Sequence, residues 1–295
     1  MIEEKGGKTE RMESYNILNE TQREEIQNFI DRCSAFDHTC QEVYLGNEFN
    51  VYPKMKTFFL EREGENLEGF LYLYADNEST AEVSAWVQPE KRRRGIFTRL
   101  FGEAVQEMKK YSYKKVLFKT EKAFSDINKV LAGYPVILSH KEYHMVAVGG
   151  TEKAEKDIPD FSLREAQEKE LGRLAEIMKA AFEGEEFGAE EHVKATFRTE
   201  KALLFTALYQ STPVGCVSVD TSGRRNYLYA LCIDPKYQGN GYGRKMLCRT
   251  VNLLARLYDK EVSLDVDEEN KTAIPLYQSC GFRQASELVY YAMDL

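Results

Sequence analysis

From residue 161 onward the apolar positions fall into an ordered succession of short strands and helices. Phe161-Ser162-Leu163-Arg164-Glu165-Ala166 reads as an opening strand. Leu171, Leu174, Ile177, Met178 and Ala181 then recur at the three- and four-residue spacing that puts them on one face of a helix. Apolar runs at 203–208, 214–220 and 227–233 read as successive strands, and Glu261-Val262-Ser263-Leu264-Asp265-Val266 alternates as one. Residues 270–279 read as a short helix, with Gly281 as its stop. Between the last two strands, Leu231-Cys232-Ile233-Asp234-Pro235-Lys236-Tyr237-Gln238-Gly239-Asn240-Gly241-Tyr242-Gly243-Arg244 runs from an apolar strand through a proline break and a glycine-rich turn into an apolar helix.

A glycine-rich turn at the start of a helix lets backbone N–H groups approach a ligand where the helix dipole favours anions. Its spacing excludes two common phosphate cradles. Gln238-x-x-Gly241-x-Gly243 lacks the Lys-Ser/Thr of a P-loop, and the sixth position of a dinucleotide fingerprint counted from Gly239 is Arg244. The turn resembles instead the Gln/Arg-x-x-Gly-x-Gly/Ala signature of the GCN5-related N-acetyltransferase (GNAT) superfamily, including its hydrophobic-Asp-Pro lead-in. Asn270-x-x-Ala273-x-x-x-Tyr277-x-x-x-Gly281-Phe282 is similar to a second stretch of that family. The resemblance implies a mixed α/β sheet, acetyl-CoA as acyl donor with no metal, and direct attack of a primary amine on the thioester in a ternary complex. It implies that Leu231, Cys232, Ile233, Gln238, Gly239, Asn240, Gly241, Tyr242, Gly243 and Arg244, with Asn270 and Ala273, hold the CoA arm. Tyr277 would be the general acid and Asp265 the base, Asp267, Glu268 or a water chain being alternatives. The oxyanion donor would be an N–H close to Cys232 or Ile233.

The first half repeats this order. Pro89 matches Pro235, Arg92 matches Gln238 and Gly95 matches Gly241, all 146 residues apart; Gly133-Tyr134 and Tyr143-x-Met145 match Gly281-Phe282 and Tyr291-x-Met293 at 148. Two tandem GNAT-like domains are expected, at 13–148 and 159–295, joined by a polar linker at 149–158. Lys122 and Lys129 occupy the places of Asn270 and Tyr277, and Phe97 that of Gly243, so catalysis is expected in the second domain only. The competing reading is a CoA-binding regulatory or scaffold protein without turnover.

A net charge of −8 argues against a general nucleic-acid or anionic-membrane binder and leaves cationic substrates open. Lys91-Arg92-Arg93-Arg94 sits at the first half's phosphate turn, which favours CoA phosphates or a solvated loop over nucleic acid. Glu183, Glu185, Glu186, Glu190 and Glu191 hint at a cationic amine, but a solvated acidic loop is the favoured reading of them. Cysteines 33, 40, 216, 232, 248 and 280 form no C-x-x-C pair and fit buried small hydrophobes in a reducing cytoplasm. Neither a signal-peptide pattern nor an apolar run of about 18 residues is present. Residues 1–12 are polar and expected to be disordered. His140 and His144 share a strand face, but without a third ligand nearby a metal site is not expected.

Overall fold

The computed structural model describes residues 10–147, 158–182 and 188–295. Linker residues 149–157 and Glu183, Glu185 and Glu186 lie outside them. The chain forms two compact units. One comprises the described residues up to Gln41, Leu45–His140 and Val289–Leu295; the other comprises Glu42–Tyr44 and the described part of Lys141–Leu288.

In the first unit, strands β1 (Glu10–Tyr15), β2 (Phe58–Glu63), β3 (Asn66–Tyr74), β4 (Thr80–Val87) and β5 (Lys115–Glu121) lie side by side in that order. Helices α1 (Glu20–Asp37), α2 (Ile96–Lys110) and α3 (Ile127–Leu131) complete it. Asn19 and Gln22 start α1 with a reciprocal capping box. The expectation of disorder through residue 12 is corrected at its end, because Glu10, Arg11 and Met12 pair with Glu63, Arg62 and Glu61 as part of β1. Two longer strands, β6 (Ile137–Ala147) and β12 (Phe282–Asp294), close the sequence halves. From Val289 onward β12 lies beside β5, where Met293 joins Leu100, Phe101 and Phe118 in the core and the Leu295 N–H donates to the Lys114 carbonyl at 2.9 Å.

The second unit repeats the order with β7 (Phe161–Glu165), α4 (Leu171–Ala181), α5 (Ala189–Arg198), β8 (Ala202–Tyr209), β9 (Thr212–Asp220), β10 (Asn226–Ile233), α6 (Tyr242–Leu257), β11 (Val262–Asp267) and α7 (Ala273–Ser279). Its strands run β6-β11-β10-β9-β8-β7. Only the β10–β11 pair among these is parallel. Alternation along the strands divides the core. Leu228, Leu264 and Val266 pack with Met246, Val251 and Leu254 of α6, while Leu204, Cys216 and Cys232 pack with Leu174, Ile177 and Met178 of α4. Met145 and Ala147, from the sequence's first half, belong to the α6 cluster. A repeat in sequence and a compact unit in space are therefore different divisions here, since residues 141–147 and 289–295 each sit in the unit opposite to their sequence half.

The repeat also shows in packing. A Cβ at Gly69 would lie 2.4 Å from Ile96 Cγ2, and one at Gly215, the matching position, 2.4 Å from Ile233 Cδ1 and 2.6 Å from the Cys232 carbonyl oxygen, so at either a side chain would force its neighbours to shift. The six cysteines form no disulfide among the described residues; five are buried and Cys40 is half-buried. No described helix is long and apolar enough to cross a membrane.

Candidate functional site

The glycine-rich turn is built by its own side chains. Asp234 accepts from the Lys236 N–H at 3.0 Å and pairs with Arg173, which together hold its carboxyl below the usual range although burial opposes them. Gln238 Nε2 donates to the Ile233 carbonyl at 3.0 Å, and Asn240 Nδ2 donates to the carbonyls of Tyr237 and Gln238 at 3.2 and 3.1 Å. These amides are committed to shaping the loop. Gly239 and Gly241 have φ of +78° and +83°, a region that favours glycine. Gly241 begins α6 with no side-chain cap among the described residues, so the leading N–H groups stay available to an anion. Tyr242 is buried against Phe161 and Tyr209, with ring centroids 5.8 and 5.1 Å away, leaving only its backbone to face a ligand. Arg244 is exposed at the helix start. At Gly243 a Cβ would make ordinary contacts, 3.6 Å from Ile233 Cγ1 and 3.8 Å from Leu276 Cδ2.

Leu231, Cys232 and Ile233 end a strand that leaves its neighbours. Against β9, the β10 register slips between Tyr229 and Cys232, and Ala230 takes a φ of +48°. This is a bulge. It falls just before the expected oxyanion donor. Against β11, β10 pairs only at Asn226↔Val262 and Tyr227↔Ser263; beyond these residues the parallel strands stop pairing. Asn270 Oδ1 accepts from the Ala273 N–H at 2.9 Å and so starts α7, while Ala273 and Tyr277 lie half-buried on the α6 cluster. The Tyr277 ring is 6.0 Å from that of Phe282, and burial pushes its hydroxyl up to about 12.

Asp265 is not alone on β11. Its Oδ1 lies 2.6 Å from His144 Nδ1, and its Oδ2 accepts from the Tyr227 hydroxyl at 3.2 Å. Tyr229, two residues on, meets Thr196 Oγ1 at 3.3 Å and the edge of the His192 ring at 5.4 Å. Sequence reasoning placed His144 only in an unfavoured metal pair and missed Tyr227, Tyr229, His192 and Thr196. His140 is engaged elsewhere, stacked 4.2 Å from Tyr290. Among the described residues no three His, Cys, Asp or Glu side chains are grouped to hold a metal.

Burial lowers the His192 imidazole from 6.5 to about 4. A depressed histidine contributes stability that is full above 6.5 and is lost as pH falls toward 4, because only the unfolded chain protonates readily in that window. The second unit is expected to lose roughly 2–3 kcal/mol over this interval, and His192→Phe to flatten that part of a denaturation series. An unchanged acid profile in the variant would assign the loss to other groups.

The first unit repeats the backbone geometry of the turn with different side chains. Arg93 and Gly95 repeat the positive φ values, at +63° and +80°. Phe97 replaces Gly243 and stacks on Phe101 with centroids 5.8 Å apart. Arg92 is held by both oxygens of Asp37 at 2.7 and 2.6 Å, and Lys91 pairs with Glu63 and Glu68, so half of the basic run is neutralised internally. The β3–β4 register is unbroken from Gly69↔Val87 to Tyr74↔Glu82, without a bulge. A cavity of about 850 Å³ lies beside the turn, lined by Trp86, Arg93, Phe97, Phe118 and Phe124 among others.

A glycine-led helix beside a parallel strand pair that parts, in a mixed sheet whose element order occurs twice, defines a tandem GNAT fold. The Acetyltransferase (GNAT) family profile matches residues 19–127 and 171–282, and the chain belongs to that family. Spermine/spermidine N(1)-acetyltransferase of Bacillus subtilis (strain 168) is 43% identical over 70 residues, 23% of this chain and 46% of that protein. Mycothiol acetyltransferase of Kocuria rhizophila is 42% identical over 57 residues, 19% of each chain. The chain thus spans less than half the length of these curated relatives. Among solved structures, a GCN5-related N-acetyltransferase from Sphaerobacter thermophilus superposes with a TM-score of 0.72 at 14% identity, covering 97% of this chain and 95% of that one. A tandem GNAT protein from the clavulanic acid biosynthesis pathway gives 0.71 at 16%, covering 97% and 98%. At these identities the likeness is one of fold.

Proposed function

We propose that the protein is an acetyl-CoA-dependent N-acetyltransferase whose second unit acetylates a primary amine by direct attack in a ternary complex. The observation that carries this reading is the uncapped, glycine-led start of α6 beside the point where β10 and β11 stop pairing. The diphosphate of acetyl-CoA would rest on the N–H groups that open α6, and its thioester would reach the bulge at Ala230. The amine nitrogen attacks the thioester carbon, Asp265 takes the amine proton, the C–S bond breaks and Tyr277 protonates the departing thiolate. Backbone N–H groups near the bulge would stabilise the oxyanion. The first unit, with Lys122, Lys129 and Phe97 at the matching positions, is assigned no turnover.

The acceptor is proposed to be a cationic small molecule or peptide amine. The Asp265 carboxylate supports a positive charge on it, as do the spermine and spermidine named for the Bacillus relative. Six cysteines held as thiols fit a cytoplasmic setting. A CoA-binding regulatory role is favoured by one observation only, the first unit's cavity beside an intact cradle.

Gly243→Glu tests the cradle. A carboxylate reaching past Ile233 and Leu276 adds bulk and like charge at the diphosphate, and acetyl-CoA affinity should fall at least about 10-fold in calorimetry, with thiol release falling in step. Unchanged affinity would remove this loop from the site.

A further inference from the structure

We propose that His144 is a positioning residue of the second unit's acceptor site, aiming the Asp265 carboxylate together with Tyr227, so that the first sequence half supplies part of the second half's chemistry. This rests on the reading of Asp265 as the proton acceptor. The placement follows from strand register. β6 runs antiparallel to β11, with His144 directly opposite Asp265 in an unbroken ladder from Val262↔Ala147 to Asp267↔Glu142. Residues directly opposite in such a ladder share a face, which brings the two side chains together.

The carboxylate is gripped at both ends, with His144 Nδ1 2.6 Å from Oδ1 and the Tyr227 hydroxyl donating to Oδ2 at 3.2 Å. The side chains of His144 and Asp265 are 4% and 11% exposed, so little water competes for these bonds. The second imidazole nitrogen decides the tautomer. Among the described residues His144 Nε2 is buried and has no hydrogen-bond partner, and a buried orphan N–H is rarer in folded proteins than an under-satisfied acceptor. The proton therefore sits on Nδ1 and is donated to Asp265, while Nε2 keeps its lone pair. Each oxygen of Asp265 meets one of these two donors. The carboxylate cannot rotate without breaking a bond, yet it can still accept a proton.

The arrangement is one-sided. At the matching places of the first unit, each 148 residues away, stand Ala292 for His144 and Leu117 for Asp265, neither of them ionisable. An imidazole retained only where it meets a carboxylate has a different use from a strand-filling side chain.

The test uses the full chain with acetyl-CoA and an amine panel of spermidine, an amino sugar and a short peptide. His144→Ala should lower kcat about 10- to 100-fold with acetyl-CoA affinity unchanged, and His144→Asn, whose amide N–H can stand in for Nδ1–H, should recover most of the loss. The double variant His144→Ala/Asp265→Asn should be no slower than Asp265→Asn, because the imidazole acts through the carboxylate. In ¹⁵N-histidine spectra the Nδ1–H resonance of His144 should shift in Asp265→Asn, a readout independent of turnover. Wild-type kcat in His144→Ala, losses that multiply in the double variant, or no recovery in His144→Asn would overturn the role of His144 while leaving the transferase reading intact. No turnover by the wild-type chain across the panel would overturn both. If His144→Ala does not fold, the decision passes to Tyr227→Phe and His144→Asn. A loss in Tyr227→Phe that disappears in the Asp265→Asn background supports the grip, and full activity in Tyr227→Phe with none in a folded His144→Asn overturns it.

Discussion

Tyr277→Phe is expected to lower turnover about 10²-fold or more while leaving acetyl-CoA affinity nearly unchanged. The substitution keeps the ring against Phe282 and the α6 cluster and deletes only the hydroxyl. Burial raises that hydroxyl to about 12, so it enters each turnover protonated through the pH range of an ordinary assay, and the tyrosinate left after donation readily regains a proton from solvent. The deficit should narrow at high pH, where CoA leaves readily as the thiolate. Stability gives a second readout. A tyrosine raised from 10 to about 12 contributes stability that is full below pH 10 and is lost as pH climbs to 12, because the unfolded chain ionises first. The variant should lack that loss. Wild-type turnover in Tyr277→Phe on a confirmed acceptor would leave Tyr277 a packing residue and pass the acid's role to water.

A chain beginning at Asp157 is expected to be insoluble or unfolded and to bind no acetyl-CoA. Composition alone leads to the opposite expectation, since a cut in a polar linker severs few apolar contacts. Such a chain would lack β6 residues 141–147, and with them a six-residue ladder to β11, the Met145 side chain at 1% exposure and Ala147 at 2%. Burial of a methionine alone is worth roughly 1.5–3 kcal/mol, against a typical net stability of about 5–15. Circular dichroism and calorimetry on the fragment check this. A soluble fragment that binds acetyl-CoA would make β6 dispensable to the second unit.

Much of the second unit was legible because its elements follow simple periods. The apolar runs at 203–208, 214–220 and 227–233 became Ala202–Tyr209, Thr212–Asp220 and Asn226–Ile233, each within two residues. The glycine turn was legible because positive φ restricts residue choice at Gly239 and Gly241. The functions expected of Gln238 and Asn240 were less so, since a side-chain amide in a loop can bind a ligand or its own backbone, and here both bind backbone. The bulge at Ala230 left no glycine or proline as a sign, because it arises from competing registers of neighbouring strands. Nor could the sequence show that His144 faces Asp265, a pairing across 121 residues that depends on which strand closes which sheet. Tyr277 and Asn270 were assigned by resemblance alone, and the geometry adds that Asn270 starts the helix bearing Tyr277.

The placement of residues 289–295 beside β5 has a consequence for synthesis. During translation the first unit's Leu45–His140 emerges about 150 residues before the strand that completes it, which at roughly 5–20 residues per second is a wait of about 7–30 s. Throughout that interval the β5 edge stays open, and pairing with such distant residues is slow even once they exist. Substitutions in residues 289–295 should reduce yield by aggregation of the first half, far from where they stand in the sequence.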